Sequence, residues 1–338
     1  MYPGGMAVQM FFMISGFYMA LVLDGRYAPN PTGLRLFYSN RALRLYPAFL
    51  TITVGIWVQF LITWIILGHT PGNNWVDVYR MLPRLTKLAV IAMNWLMVGT
   101  DTISNMYFSH ERGVVFMFPR EATAQEIDGM VFMHNLRTIA PAWSIGTEIW
   151  FYLLVPFLVR WRWSLLAVLF IGSFACRLWI VEVLGRYPFY FFPAQLIFFI
   201  GGIWAYKCYR RWGAALHESQ WTHFVAPLNW VAVLVYPFCF SQLPSWPLYI
   251  LVGISIPCMF NTSKQLHWDR LVGDLSYPVY LVHLWVGSIA SRWAIANGTF
   301  VAAVSVLAAL AIFFAIERPV ERFRRRRVEA DGYPATSA

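Results

Sequence analysis

Charge is scarce in this sequence. Asp, Glu, Lys and Arg make up 12% of its 338 residues, where a soluble domain carries about a quarter, which excludes an ordinary soluble fold. Cysteine is also sparse: Cys176, Cys208, Cys239 and Cys258 are scattered on or beside apolar stretches. They form no Cys-x-x-Cys pair and have no histidine at zinc spacing, so they read as packing residues and no metal is called for. No Gly-x-Ser-x-Gly elbow and no setting for a reactive cysteine are present, so covalent catalysis through Ser or Cys has no candidate. The net charge of +10 is not spread as a nucleic-acid footprint. It gathers in short loops and in RFRRRR at 322–327, which is how cytoplasmic loops of membrane proteins are marked.

What fills the space is apolar. Hydrophobic residues make up 59%, with 17 Trp, 17 Tyr and 27 Phe, and mean hydropathy is +0.54. Many aromatic rings sit at segment ends, where they anchor to lipid headgroups. A spanning helix needs about 20 mostly apolar residues. Candidates lie at 5–23, 46–68, 85–99, 141–159, 163–184, 188–206, 223–240, 246–260, 273–295 and 298–316. The pattern predicts an all-α polytopic transmembrane bundle of nine or ten segments over 1–320, followed by a basic cytoplasmic tail, 321–338. No soluble domain fits between segments, although 100–140 is a long polar loop of the kind that carries function.

Placing Arg322, Arg324, Arg325, Arg326 and Arg327 in the cytoplasm puts KCYRRW, KQLHWDR and RWRW inside and the 100–140 loop outside. The basic stretch 26–44 also belongs inside, which requires 85–99, short and preceded by Arg80, Arg84 and Lys87, to be re-entrant or interfacial. Nine crossings remain, with the N-terminus outside. The chain nevertheless opens on MYPGGMAVQMFF with no signal peptide or basic leader, so a preceding helix is expected.

Two polar stripes interrupt the apolar segments. Ser144, Glu148 and Tyr152 fall at i, i+4 and i+8, and Ser276, Tyr280 and His283 at i, i+4 and i+7, each set on one helix face. Such stripes often glue helices together. A carboxylate and an imidazole are both rejected by lipid, so both face inward, and together they are parts of general-base catalysis. Arg41 and Arg44 read either as a positive-inside anchor or as a forked clamp for phosphate or carboxylate. Arg177, with Glu182 nearby, is a candidate buried ion pair, and Glu317, Arg318 and Pro319 close the last helix.

Five stretches, QMFFMISGFYM, SNRALRLYPAFL, PAWSIGTEIWFYLLVP, DLSYPVYLVHLW and AIERPVERFRRR, occur in this order and together resemble the membrane-bound acyltransferase 3 family, O-acyltransferases of bacterial surface glycans and related acceptors. The resemblance spans the chain. It implies a ten-helix inner-membrane enzyme with no permanently bound cofactor, which takes an acyl group, commonly acetyl, from acyl-coenzyme A and delivers it to a hydroxyl of a sugar or related acceptor. It makes Arg41 and Arg44 the family's Arg-x-x-Arg donor motif, Trp143, Ser144 and Glu148 its Trp-Ser-x-x-x-Glu motif, and Tyr280 with His283 its Tyr-x-x-His. Tyr152 joins the substrate-binding set. The family's first-helix histidine has no counterpart, so the family's first helix is expected to be missing, and Glu148 and His283 become supporting catalytic groups. The alternatives are a transporter or flippase of a lipid-linked product, or an inactive truncated paralogue.

Overall fold

The computed structural model describes residues 3–27, 29–68, 75–109, 113–117, 130–218, 222–240, 244–264, 266–292 and 297–330. It is a helical bundle. The first helix, α1 (Pro3–Arg26), is followed by α2 (Pro31–Leu67). Asn30 caps α2, its side chain accepting the Gly33 N–H at 2.7 Å, and Pro31 takes the first helical position, where its missing N–H costs nothing. Gly68, at φ 69°, ends the helix in the left-handed conformation. The basic stretch 26–44, which its charges place inside, is therefore largely helical. Most of it is the first half of a 37-residue helix that runs straight through Pro47.

Two shorter helices follow, α3 (Trp75–Met81) and α4 (Arg84–Leu96). With 13 residues, α4 is about 20 Å long, too short for the hydrocarbon core, in keeping with the re-entrant or interfacial reading of 85–99. The 100–140 region then holds the short helix α5 (Thr100–Ile103) and strands β1 (Met106–Ser109), β2 (Val114–Met117) and β3 (Met130–Phe132). They form an antiparallel sheet in the order β2-β1-β3, Tyr107 facing Phe116 and Phe132. This sheet is not legible from the pattern of residues, because its strands are short and polar residues separate them.

The remaining helices are α6 (Ala142–Leu158), α7 (Trp163–Glu182), α8 (Phe192–Glu218), α9 (Thr222–Cys239), α10 (Trp246–Ser263), α11 (His267–Arg292) and α12 (Gly298–Ile312). A π-helical turn, Phe313–Glu317, joins α12 to α13 (Arg318–Ala330). Each predicted segment from 141 onward falls on one of these helices. By length and composition, Gly4–Gly25, Pro31–Ile66, Trp163–Glu182 and Gly298–Ala330 can each cross a bilayer, and Ala142–Leu158 and Phe224–Tyr236 are shorter apolar helices.

The bundle core forms where α1, α6 and α8 meet. Phe12, Phe151 and Phe199 are fully buried and stack, with Phe199 4.7 Å from Phe12 and 4.1 Å from Phe151 between ring centres. Close approach of α1 and α8 depends on Gly16 and Gly202. A Cβ on Gly202 would lie 1.9 Å from the Met13 carbonyl oxygen, and one on Gly16 would lie 2.2 Å from that of Phe199. Small residues at such crossings let helix backbones touch.

The two ends of α2 mark the two ends of the bundle. At one, Arg327 donates to Ser39 (3.1 Å), so the basic α13 packs there. At the other, Gln59 accepts from the Trp285 indole at 2.8 Å. Ser39 and Gln59 are about 30 Å apart along the helix axis, close to the thickness of a hydrocarbon core.

Candidate active site

Glu148 lies inside this bundle, 5% exposed. One carboxylate oxygen accepts two hydroxyls, Ser15 from α1 at 2.9 Å and Tyr152 from one turn further along α6. The i, i+4 spacing brings Tyr152 back to Glu148, and the α1–α6 contact supplies Ser15. Arg41 and Arg44 on α2 are within electrostatic reach of Glu148 and Tyr152, so the carboxylate is hydrogen-bonded and faces positive charge rather than lipid.

One turn toward the far end, Ser144 is 3% exposed and its hydroxyl meets that of Tyr280 on α11 at 2.8 Å. Both hydroxyls also reach the Pro141 carbonyl, at 3.1 and 3.3 Å. Toward the tail end, the Tyr277 hydroxyl donates to the Leu45 carbonyl at 2.8 Å. Arg44 faces Asp274 at 3.4 Å and the buried Glu317 at 3.6 Å, and the π-helical turn carries Glu317 to that position. Helices α6 and α11 thus carry a polar column from the basic end of the bundle, past Glu148, to the Ser144–Tyr280 pair.

Beyond that pair is a cavity of about 300 Å³, lined by α2, α4, residues 135–141 and the last turns of α11. Its polar lining includes Arg137, whose Nε donates to the His134 carbonyl at 3.0 Å and whose guanidinium lies 5.5 Å from the centre of the Tyr190 ring. Burial pulls the Arg137 guanidinium below the usual arginine range, and burial with the charge of Arg137 pulls His134 down as well. On α5, burial pushes the Asp101 carboxyl up to about 6. Among the described residues no group of three His, Cys, Asp or Glu could hold a metal ion.

A family model described as an acyltransferase domain matches residues 2–318. The chain belongs to the acyltransferase 3 family. No curated protein and no solved structure matches it.

In this membrane acyltransferase the two polar stripes meet through Ser144 and Tyr280. His283 is not brought to Glu148: it is half-buried, and its Nδ1 sits 2.7 Å from the Tyr280 carbonyl of its own helix. A carbonyl only accepts, so that bond places the proton on Nδ1 and leaves Nε2 as the basic nitrogen. Ser276, expected to share the inward stripe, is exposed and bonds back to the Gly273 carbonyl at 2.7 Å. Trp143 packs edge-on against Tyr190 and Phe189, at 4.9 and 5.9 Å, which fixes the start of α6 against the segment before α8.

The expected Arg177–Glu182 pair does not form, because five residues of helix turn Glu182 outward to an exposed position. Arg177, 6% exposed, lies instead between the Phe198 and Trp246 rings at 5.3 and 5.5 Å. The Gln9 amide, in the orientation that satisfies both groups, accepts from its two terminal nitrogens at 3.2 and 3.0 Å. Sequence reasoning missed Ser15 and Arg137. Ser15 stands as a single small hydroxyl beside Gly16 in a largely apolar run. Arg137 lies a few residues before the Trp-Ser pair, where it reads as an ordinary loop charge.

Proposed function

We propose that this enzyme transfers an acyl group, acetyl in the simplest case, from acyl-coenzyme A to a hydroxyl of a sugar or related acceptor in the bacterial inner membrane. The acceptor oxygen bonds to the thioester carbonyl carbon, the carbon–sulfur bond breaks, and the hydroxyl proton ends on the departing sulfur. Such a transfer needs a base for the proton and donors for the oxyanion. The basic tail end, with Arg41 and the α13 arginines, suits the phosphates of coenzyme A. The cavity at the other end, with its aromatic walls, suits the acceptor.

The observation that supports this reading is Glu148, buried with two hydroxyl donors midway along a polar column that joins a basic end to a cavity. Ser144 and Tyr280 are the hydroxyl donors next to the cavity, and His283 Nε2 is the nearby basic nitrogen. Glu148 supports them by holding Ser15 and Tyr152 in place and by supplying negative charge opposite Arg41.

The test is transfer of label from acetyl-coenzyme A to hydroxyl acceptors by the purified protein in lipid nanodiscs. Labelled ester is expected, and Glu148→Gln is expected to abolish it while the protein stays folded, since the amide oxygen still accepts both hydroxyls. A folded wild type that labels no acceptor but moves a lipid-linked substrate across the bilayer would make it a flippase. A fully active Glu148→Gln variant would remove Glu148 from the chemistry.

A further inference from the structure

The cavity beside Ser144 and Tyr280 is held in shape by fixed contacts. Asn94 ties α4 to the loop that follows β3, donating to the Leu136 carbonyl at 2.9 Å and accepting the Thr138 N–H at 2.7 Å. Gln59 is held by the Trp285 indole, and Trp57, Trp95 and Trp285 supply apolar faces. Flat aromatic walls with fixed amides between them suit a sugar ring, whose C–H face is apolar and whose rim is polar.

The charges in the lining go beyond what a neutral sugar needs. Arg137 and Arg292 both line the cavity, and among the described residues no Asp or Glu does. A guanidinium has five N–H donors. In Arg137, Nε is satisfied by the His134 carbonyl, while Nη1 is buried with no hydrogen-bond partner. A desolvated cation with an unused donor and no acid across from it is costly, and an anion entering the cavity would relieve that cost. Arg137 is also within electrostatic reach of Tyr280, so an anion held there lies close to the Ser144–Tyr280 hydroxyls. Arg292 ends α11 on the exposed side of the same cavity.

We infer that this cavity selects an anionic acceptor, a sugar that carries a carboxylate or phosphate near the hydroxyl to be acylated. The inference deepens the acyl-transfer reading and rests on it for catalysis, but not for binding.

Binding is measured on the full chain in nanodiscs without donor, using methyl glucuronide, a hexose phosphate, methyl glucoside and inorganic phosphate. At least one charged sugar is expected to bind roughly tenfold or more tighter than methyl glucoside, the range of one charge-assisted hydrogen bond. The charged sugar that binds tells carboxylate from phosphate. Arg137→Gln should erase that preference while leaving methyl glucoside unchanged, and Arg137→Lys should restore part of it. If Arg137→Gln does not fold, Arg292→Gln gives the second reading, with a smaller loss in the same direction. Equal affinity for charged and neutral sugars, no binding of either charged sugar, or inorganic phosphate binding as tightly as the hexose phosphate overturns the inference. Acyl transfer at equal rates to charged and neutral acceptors would keep the acyltransferase and remove its anion selectivity.

Discussion

Arg41 and Arg44 stand three residues apart on α2, yet their surroundings give them different work. Arg44 is committed internally, between Asp274 and Glu317. Removing it strands Glu317, whose side chain is 5% exposed and whose oxygens accept no hydrogen bond, and breaking a buried pair from one side costs about 3–5 kcal/mol. Arg41 lies over Phe37 at 5.7 Å with its Nε buried and unpartnered, so it is the one with donor capacity to spare. Arg44→Ala is therefore expected to lower the thermal midpoint by several degrees, and Arg41→Ala to leave it within a degree or two while weakening acyl-coenzyme A binding. Thermal unfolding and donor titration on both variants decide this, and an Arg44→Ala variant as stable as wild type contradicts the ion-pair assignment. At this scale the sequence was legible where spacing sufficed. Ser144, Glu148 and Tyr152 share a face because helical geometry requires it. Ser15 and the difference between the two arginines were not legible, since both depend on partners more than a hundred residues away in the chain.

Helix placement was readable for a similar reason, and least so where charge rather than apolar pattern dominates. The segments from 141 onward are apolar runs bounded by polar residues, and each became a helix. In the stretch 26–44 the arginines speak to the side of the membrane and not to secondary structure, whereas Asn30-Pro31 spells a helix start. How closely α1 and α8 approach is set by their glycines. Gly202→Ala would drive a methyl into the Met13 carbonyl, which is backbone and cannot swing away, so one of the helices must shift. The expected result is a loss of roughly 1–3 kcal/mol or more, in the range of overpacked cores, together with reduced activity as Ser15 moves away from Glu148. Gly172→Ala, where an added Cβ meets nothing within 4 Å, is the control on α7 and should be neutral or slightly stabilising. Equal behaviour of the two variants in thermal unfolding would rule out glycine-mediated contact between α1 and α8.

Across the whole molecule, the polarity of the bundle decides from which side each substrate arrives in the proposed reaction. The α13 arginines pack against the Ser39 end of α2, and the cavity opens about 30 Å away along the same helix. We propose from the positive-inside rule that this basic end faces the cytoplasm and the cavity the opposite side, with the polar column through Glu148 running between them. Position 125, the natural marker of the outer loop from sequence alone, lies outside the described residues. Asn135 is exposed beside the cavity and serves instead. With Cys176, Cys208, Cys239 and Cys258 replaced, Asn135→Cys in intact cells should react with a membrane-impermeant maleimide, and Arg325→Cys should react only after permeabilisation. If both react without permeabilisation, the basic helix and the cavity share a side, donor and acceptor must enter together, and the proposed path past Glu148 does not run across the bilayer.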